Sequence, residues 1–158
     1  MIYLNDVWCV YFHDPLDFNW DLKSYHKITQ INSVEDFVDL FQTYIDIFQN
    51  GMFFIMREHI TPRWEDEYNR NGGCISFKIS KSEMKDKFFE TCSKCLGETM
   101  GKNNEFSLNI NGISMCPKKN YYIIRLWLKE NKYSSSDNYN INIPKFSTML
   151  YKNHYNEN

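Results

Sequence analysis

Trp64 stands in the run Thr61-Pro62-Arg63-Trp64-Glu65-Asp66-Glu67-Tyr68-Asn69-Arg70, where almost every neighbour is polar or charged. An indole in such a loop exposes apolar area unless a flat ligand covers it, so Trp64 reads as a stacking platform. The ordinary alternative is a lid residue folded onto the core. Trp20, between Asn19 and Asp21 in a second polar loop, repeats the arrangement. Two loop tryptophans on one small chain suit a clamp for an aromatic base, each stack contributing roughly 1–3 kcal/mol. Glu65 offers two carboxylate oxygens to a ligand edge with adjacent N–H donors, a charge-assisted fork. Standing alone, it would be one more member of a solvated acidic run. Lys118, Lys119 and Arg125 bring cations near Trp127, and Arg125 shares a strand face with that tryptophan. A lysine pair in a turn ordinarily serves solubility.

The motifs for catalysis are thin. Cys92 and Cys95 form a Cys-x-x-Cys, but they fall in a helical stretch whose apolar stripe includes Phe88, Phe89 and Leu96; packing is favoured over redox chemistry or zinc. His13-Asp14 and His59 have no partnered nucleophile, and no glycine-rich phosphate loop is present. The chain reads as a binder without catalytic residues, cofactor or metal.

At 158 residues the chain is the size of one domain able to bury a core. A net charge of −2 and a pI near 6.1 exclude coating of nucleic acid through a broad basic surface, so such a ligand must be held locally. Five cysteines, an odd number without framework spacing, fit a reducing compartment, and the cytoplasm is expected. The start Met1-Ile2-Tyr3-Leu4-Asn5-Asp6 lacks the pattern of a signal peptide, and no apolar run is long enough to span a bilayer. A monomer without membrane attachment is expected.

Strands are expected over Val7 to Phe12, Tyr25 to Ile31, Met52 to Met56, Cys74 to Ile79, Phe106 to Met115 and Tyr122 to Leu128. Asn111-Gly112 interrupts one of them and marks a hairpin turn or a bulge. Ser33-Val34-Glu35-Asp36 approximates a capping box for a helix reaching Asn50-Gly51, and Ser80 with Glu83 opens another that runs to Leu96. A short helix is expected over Pro144 to Tyr151, with a poorly ordered end beyond it. Strands interspersed with helices indicate α+β: an antiparallel sheet with helices on one face.

On Ser33-Val34-Glu35-Asp36-Phe37, Ile60 to Glu67 with Asn71-Gly72-Gly73, and Gly97-Glu98, the chain resembles the eukaryotic translation initiation factor 4E family. The resemblance runs from about Leu4 to Leu128, taking in Trp20, Gly112 and Trp127. It implies a curved antiparallel sheet with helices on the convex face and a slot for the 7-methylguanosine cap of messenger RNA on the concave face. Residues 1–130 would be the cap-binding domain and 131–158 a short divergent tail. Trp20 and Trp64 would sandwich the cationic base, adding a cation–π term. Glu65 would accept the guanine N1 and N2 hydrogens, and the Trp64 backbone N–H would donate to O6. Trp127 would pack on the methyl group. Lys118, with Lys119 beside it, would contact phosphates; Ile123 stands at the family's second basic position, making Arg125 the candidate substitute.

The resemblance also implies a docking surface for the scaffold factor 4G, matched here by Ile2, Tyr3, Val34, Val38, Phe89 and Glu90. Two further departures stand out. Cys74 replaces a basic residue directly after Gly-Gly, and Val38 replaces the tryptophan that receives the partner. The function expected is translation initiation, with capped messages recruited through a scaffold. The alternative is a cap-sequestering repressor, and an enzyme of cap metabolism is a weaker third reading.

Overall fold

Alternation of side chains along seven runs builds the sheet in the computed structural model, which describes residues 1–143 and 147–155. Strands β1 (Tyr3–His13), β2 (His26–Ser33), β3 (Met52–Arg57), β4 (Gly73–Ser80), β5 (Ile110–Pro117), β6 (Tyr121–Leu128) and β7 (Leu150–Asn153) lie in the order β2-β1-β3-β5-β6-β4-β7. Every pairing is antiparallel. The helices are α1 (Val34–Tyr44), α2 (Met84–Leu96) and the short α3 (Asn104–Leu108), so the fold class is the α+β expected.

The two sheet faces bury different things. Phe53 and Ile55, Ile75 and Phe77, and Ile124 and Leu126 join Phe37, Phe41, Phe88 and Leu96 of α1 and α2 in the main core. The residues between them face the other way, where Phe54, Met56, Cys74 and Trp127 form a second, smaller cluster with Ile60. α1 and α2 meet through rings: Phe37 and Phe41 lie 5.2 and 5.1 Å from Phe89. Ser33 caps α1, accepting the Asp36 N–H at 3.1 Å.

Four expectations are corrected. α1 ends at Tyr44 rather than near Asn50, and successive turns then carry Phe48 onto Phe53, ring centroids 4.5 Å apart; tertiary packing outweighs helical spacing. Ser80 does not cap a helix, because its hydroxyl bonds Ser82 at 3.1 Å. A 3-10 turn intervenes and α2 starts at Met84. Phe106 to Leu108 is helical rather than extended, since Asn103 caps α3 by accepting the Phe106 N–H at 2.9 Å. Asn111-Gly112 is a bulge, with the register against β6 shifting between Ile110 and Gly112. A Cβ at Gly112 would meet Met56 Sδ at 2.3 Å, hence the glycine.

The fourth correction concerns the end of the chain. Leu150 and Tyr151 are in β7, not a helix, because the open edge of β4 offers backbone groups to pair with. Pro144, where that helix was to begin, and the end at 156–158 lie outside the described residues. Tyr139 is buried in the main core, and Ile141, Ile143, Met149 and Tyr151 pack against it.

One buried ionic knot ties β1, β3, the end of α2 and the start of β5. Arg57 on β3 donates twice to Glu98 (2.6 and 3.0 Å), once to Asp6 (3.1 Å), and to the carbonyls of Ile110 (2.7 Å) and Ser107 (3.2 Å). Its guanidinium lies 4.5 Å from the Trp8 ring centroid. Burial opposes the charge, but Glu98 and Asp6 hold the guanidinium's pKa above its ordinary value. Glu98 sits in the left-handed region at φ 58°, where its side chain turns back onto Arg57. Removing Glu98 leaves the buried guanidinium with the partly exposed Asp6 as its remaining carboxylate, and breaking a buried pair typically costs about 3–5 kcal/mol. Glu98→Ala should lower the urea midpoint accordingly, measured by circular dichroism; a loss under about 1 kcal/mol, the scale of a surface pair, would contradict the knot's role.

Candidate functional site

A cavity of about 450 Å³ opens on the face of the sheet away from α1 and α2, a size suited to a nucleotide-scale ligand. Trp127 of β6 is its floor, only 7% exposed, and its indole N–H donates to Ser114 Oγ at 3.0 Å. Phe54 meets Trp127 edge-on, with ring centroids 6.1 Å apart. Floor and core are therefore set by one register: Trp127 pairs with Cys74 and Gly112, while its neighbour Leu126 pairs with Ile75 and Ile113 on the opposite face.

Trp20 and Trp64 line the same cavity and are 48% and 43% exposed. The loop carrying Trp20 is shaped by side chains that mimic turns: Asp14 accepts the Leu16 N–H, Asp17 that of Asn19, and Asn19 that of Asp21, at 2.9 to 3.1 Å. The buried His13 ring lies parallel to Trp20, centroids 3.9 Å apart and planes 1° off. His13 Nε2 donates to the Asn19 carbonyl at 2.9 Å, which fixes the tautomer because a carbonyl can only accept. Trp20 thus has one face stacked from behind.

Trp64 is held out by a polar scaffold. Asp66 accepts from the Thr61 N–H (2.9 Å) and hydroxyl (2.6 Å) and from the Tyr68 N–H (2.9 Å). Asn69, fully buried, donates to the carbonyls of Thr61 (3.0 Å) and Arg63 (2.8 Å). Its own carbonyl accepts from Asn111 at 2.9 Å, and Asn111 also reaches Tyr68 O at 2.7 Å. The bulge at Asn111-Gly112 thereby anchors the Trp64 loop to the sheet.

The electrostatics are uneven. Arg125 lines the cavity; Lys118 and Lys119 do not, being exposed at the β5–β6 turn. Glu65 is exposed and is not among the residues that line the cavity. The Tyr25 hydroxyl in the wall is pushed up to about 12, chiefly by burial and then by the Glu65 charge. Burial pushes the Cys74 thiol up to about 12, against the pull of Arg125. His154 lies 5.1 Å from Trp127, and desolvation lowers it to about 4. Tyr155 meets Trp64 edge-on at 5.1 Å.

Sequence reasoning did not find His13, Tyr25, Asn69, Asn111, Ser114, Lys152 or His154. Asn111 was signalled only as part of an Asn-Gly bulge, and the tail residues only by the unpaired edge of β4. Cys92 and Cys95 are buried in α2 as free thiols.

On the opposite side, Ile2, Tyr3, Val34 and Phe89 are exposed and Val38 is half-buried. Glu35 accepts the Ile2 N–H, and Ile2 O accepts the Val34 N–H at 2.8 Å, which fastens the N-terminal segment to α1. Glu90 pairs with Lys94 at 3.1 Å.

The model of the family described as "Eukaryotic initiation factor 4E" matches residues 3–157. The initiation factor 4E of Dictyostelium discoideum is 29% identical over 110 residues, covering 67% of this chain and 42% of that protein. That of Candida albicans is 27% identical over 140 residues, covering 80% and 64%. The chain therefore spans less than two thirds of the length of these relatives. The solved complex of C. elegans eIF4E-3 with the 4E-binding protein Mextli and a cap analog shares the fold, with a TM-score of 0.81, 18% identity, and coverage of 97% of this chain and 92% of that one. With the family model matched across nearly its whole length, this chain belongs to the eukaryotic initiation factor 4E family.

Proposed function

We propose that this protein binds the 7-methylguanosine cap of messenger RNA and acts in translation initiation, delivering capped messages through a scaffold partner on its helical side. The observation that carries the reading is the pair of half-exposed tryptophans, Trp20 and Trp64, at one cavity floored by Trp127. A cationic aromatic base between two indoles gains stacking and cation–π attraction together. In this reading Glu65, next to Trp64 in sequence, accepts the N–H donors of the guanine edge. The C. elegans relative solved as a complex with a cap analog and a 4E-binding protein supports the reading.

The reading is of a binder, not an enzyme. General acid–base catalysis is best served by a group titrating near the working pH. The cavity groups Tyr25 and Cys74, near 12, and His154, near 4, are far from it.

Trp20→Ala or Trp64→Ala should weaken 7-methylguanosine nucleotide binding by roughly 1–3 kcal/mol without unfolding the chain. The check is quenching of tryptophan fluorescence, and a double variant that binds like the parent would remove the clamp. Glu65→Ala should erase preference for methylated guanine over methylated adenine nucleotides, since adenine lacks both donors. Equal affinity in the parent would take Glu65 out of the site.

Val38 favours a second reading, a repressor that holds caps without engaging a scaffold. Against tryptophan, valine offers less area and no N–H donor, a difference that typically costs a few kcal/mol. Calorimetry with a standard 4G-type peptide should show weak binding to the parent and stronger binding to Val38→Trp, with cap affinity unchanged. Tight binding by the parent would show that the scaffold contact does not need the indole.

A further inference from the structure

The C-terminal strand enters the cavity by design of the sheet edge. Gly73 of β4 pairs with Asn153, and a Cβ at Gly73 would meet Lys152 O at 2.2 Å, so only glycine lets β7 approach this closely. His154 N then donates to Gly72 O at 3.0 Å, fixing the chain just past the strand. Lys152, Asn153 and His154 line the same cavity as the three tryptophans.

Register places one of these residues, Lys152, opposite Cys74. Cys74 is paired on one side with Trp127 and on the other with Lys152. Directly opposed residues of antiparallel strands point to one face, so Trp127, Cys74 and Lys152 form a row across the cavity wall. The resemblance implies a basic residue at the position of Cys74, whose buried thiol stays protonated and neutral. Arg125 is in the adjacent row, paired with Ser76. Two residues along and two strands across put Arg125 and Lys152 roughly 12 Å apart at their Cα atoms. Two long cationic side chains at that spacing can close on a chain of phosphates.

Lys118, Lys119 and Arg63 do not line the cavity, although Arg63 is close enough to act on the Tyr25 hydroxyl. Lys118 bonds across the β5–β6 turn to Tyr121, four residues before Arg125, so the lysine pair begins roughly 13 Å along the strand from it. His154, held neutral by its surroundings at physiological pH, adds no charge. Among the described residues, neither Arg125 nor Lys152 is engaged in an ion pair, whereas Lys85, Lys87, Lys94 and Lys132 are.

We infer that Lys152, on the strand contributed by the divergent tail, acts with Arg125 as the cation pair that takes the phosphates of the ligand, in place of the cation missing at Cys74. The inference rests on the cap-binding reading and assigns the phosphate contacts within it. The C-terminal strand is then part of the ligand site rather than an appendage.

The test compares 7-methylguanosine monophosphate with 7-methylguanosine triphosphate by tryptophan fluorescence titration of the full chain at two salt concentrations. The parent should favour the triphosphate, more so at low salt. Lys152→Gln should lose triphosphate affinity on the order of tenfold, with a much smaller change for the monophosphate and a weaker salt dependence. Lys152→Arg should keep most of the advantage, and a double Lys118→Gln, Lys119→Gln variant should behave like the parent. An unchanged triphosphate advantage in Lys152→Gln, or its disappearance in the double variant, would overturn the assignment while leaving base binding intact. A parent that binds neither nucleotide would overturn the base reading and this inference with it.

Discussion

The period of two along the strands is the constraint on which everything else depends. β6 shows it most plainly: Ile124, Leu126 and Leu128 are buried against the helices, and Arg125 and Trp127 face the cavity. A slip of one residue would put an arginine into the core and leucines into the slot, so burial of the aliphatic set fixes the binding set as well. The energy that positions Trp127 therefore comes mainly from the far side of the sheet, where Phe48, Phe53 and Phe88 interlock with ring centroids 4.5 to 5.6 Å apart.

The clamp residues are held differently. Trp20 and Trp64 are on irregular segments, where no ladder sets the backbone, and their loops are kept in place by side chains acting as backbone partners. The two loops are tied to the sheet at defined points, His13 at the end of β1 and Asn111 on the β5 bulge. A platform with one face against His13 or an edge against Tyr155 keeps its indole half in solvent while restraining its orientation. Restraint before binding reduces the ordering cost that a ligand must offset.

This division explains what was legible in the chain itself. Period-two runs such as Cys74 to Ile79 and Tyr122 to Leu128 could be read directly, and so could Trp20 and Trp64, because large indoles among polar neighbours break the usual pattern. The polar network under Trp64 could not, since Asn69 and Asn111 are 42 residues apart and meet only after β5 has paired with its neighbours. The tail was misread for a related reason. Leu150 to Asn153 has little strand signal of its own and is extended because the edge of β4 is open and Gly73 admits it. Non-local templates of this kind leave their mark on the receiving strand, here as the Gly72-Gly73 pair, rather than on the segment received.

Two surfaces lie on opposite sides of one sheet: a ring-walled cavity, and a helical back on which Val34 and Phe89 are exposed. The central claim is that a cap base lies between Trp20 and Trp64 above Trp127. A crystal structure of the protein with 7-methylguanosine triphosphate tests it most directly. The account predicts the base parallel to both indoles, about 3.5 Å from each, with its methyl group toward Trp127. A ligand bound elsewhere, with nothing between Trp20 and Trp64, would contradict it.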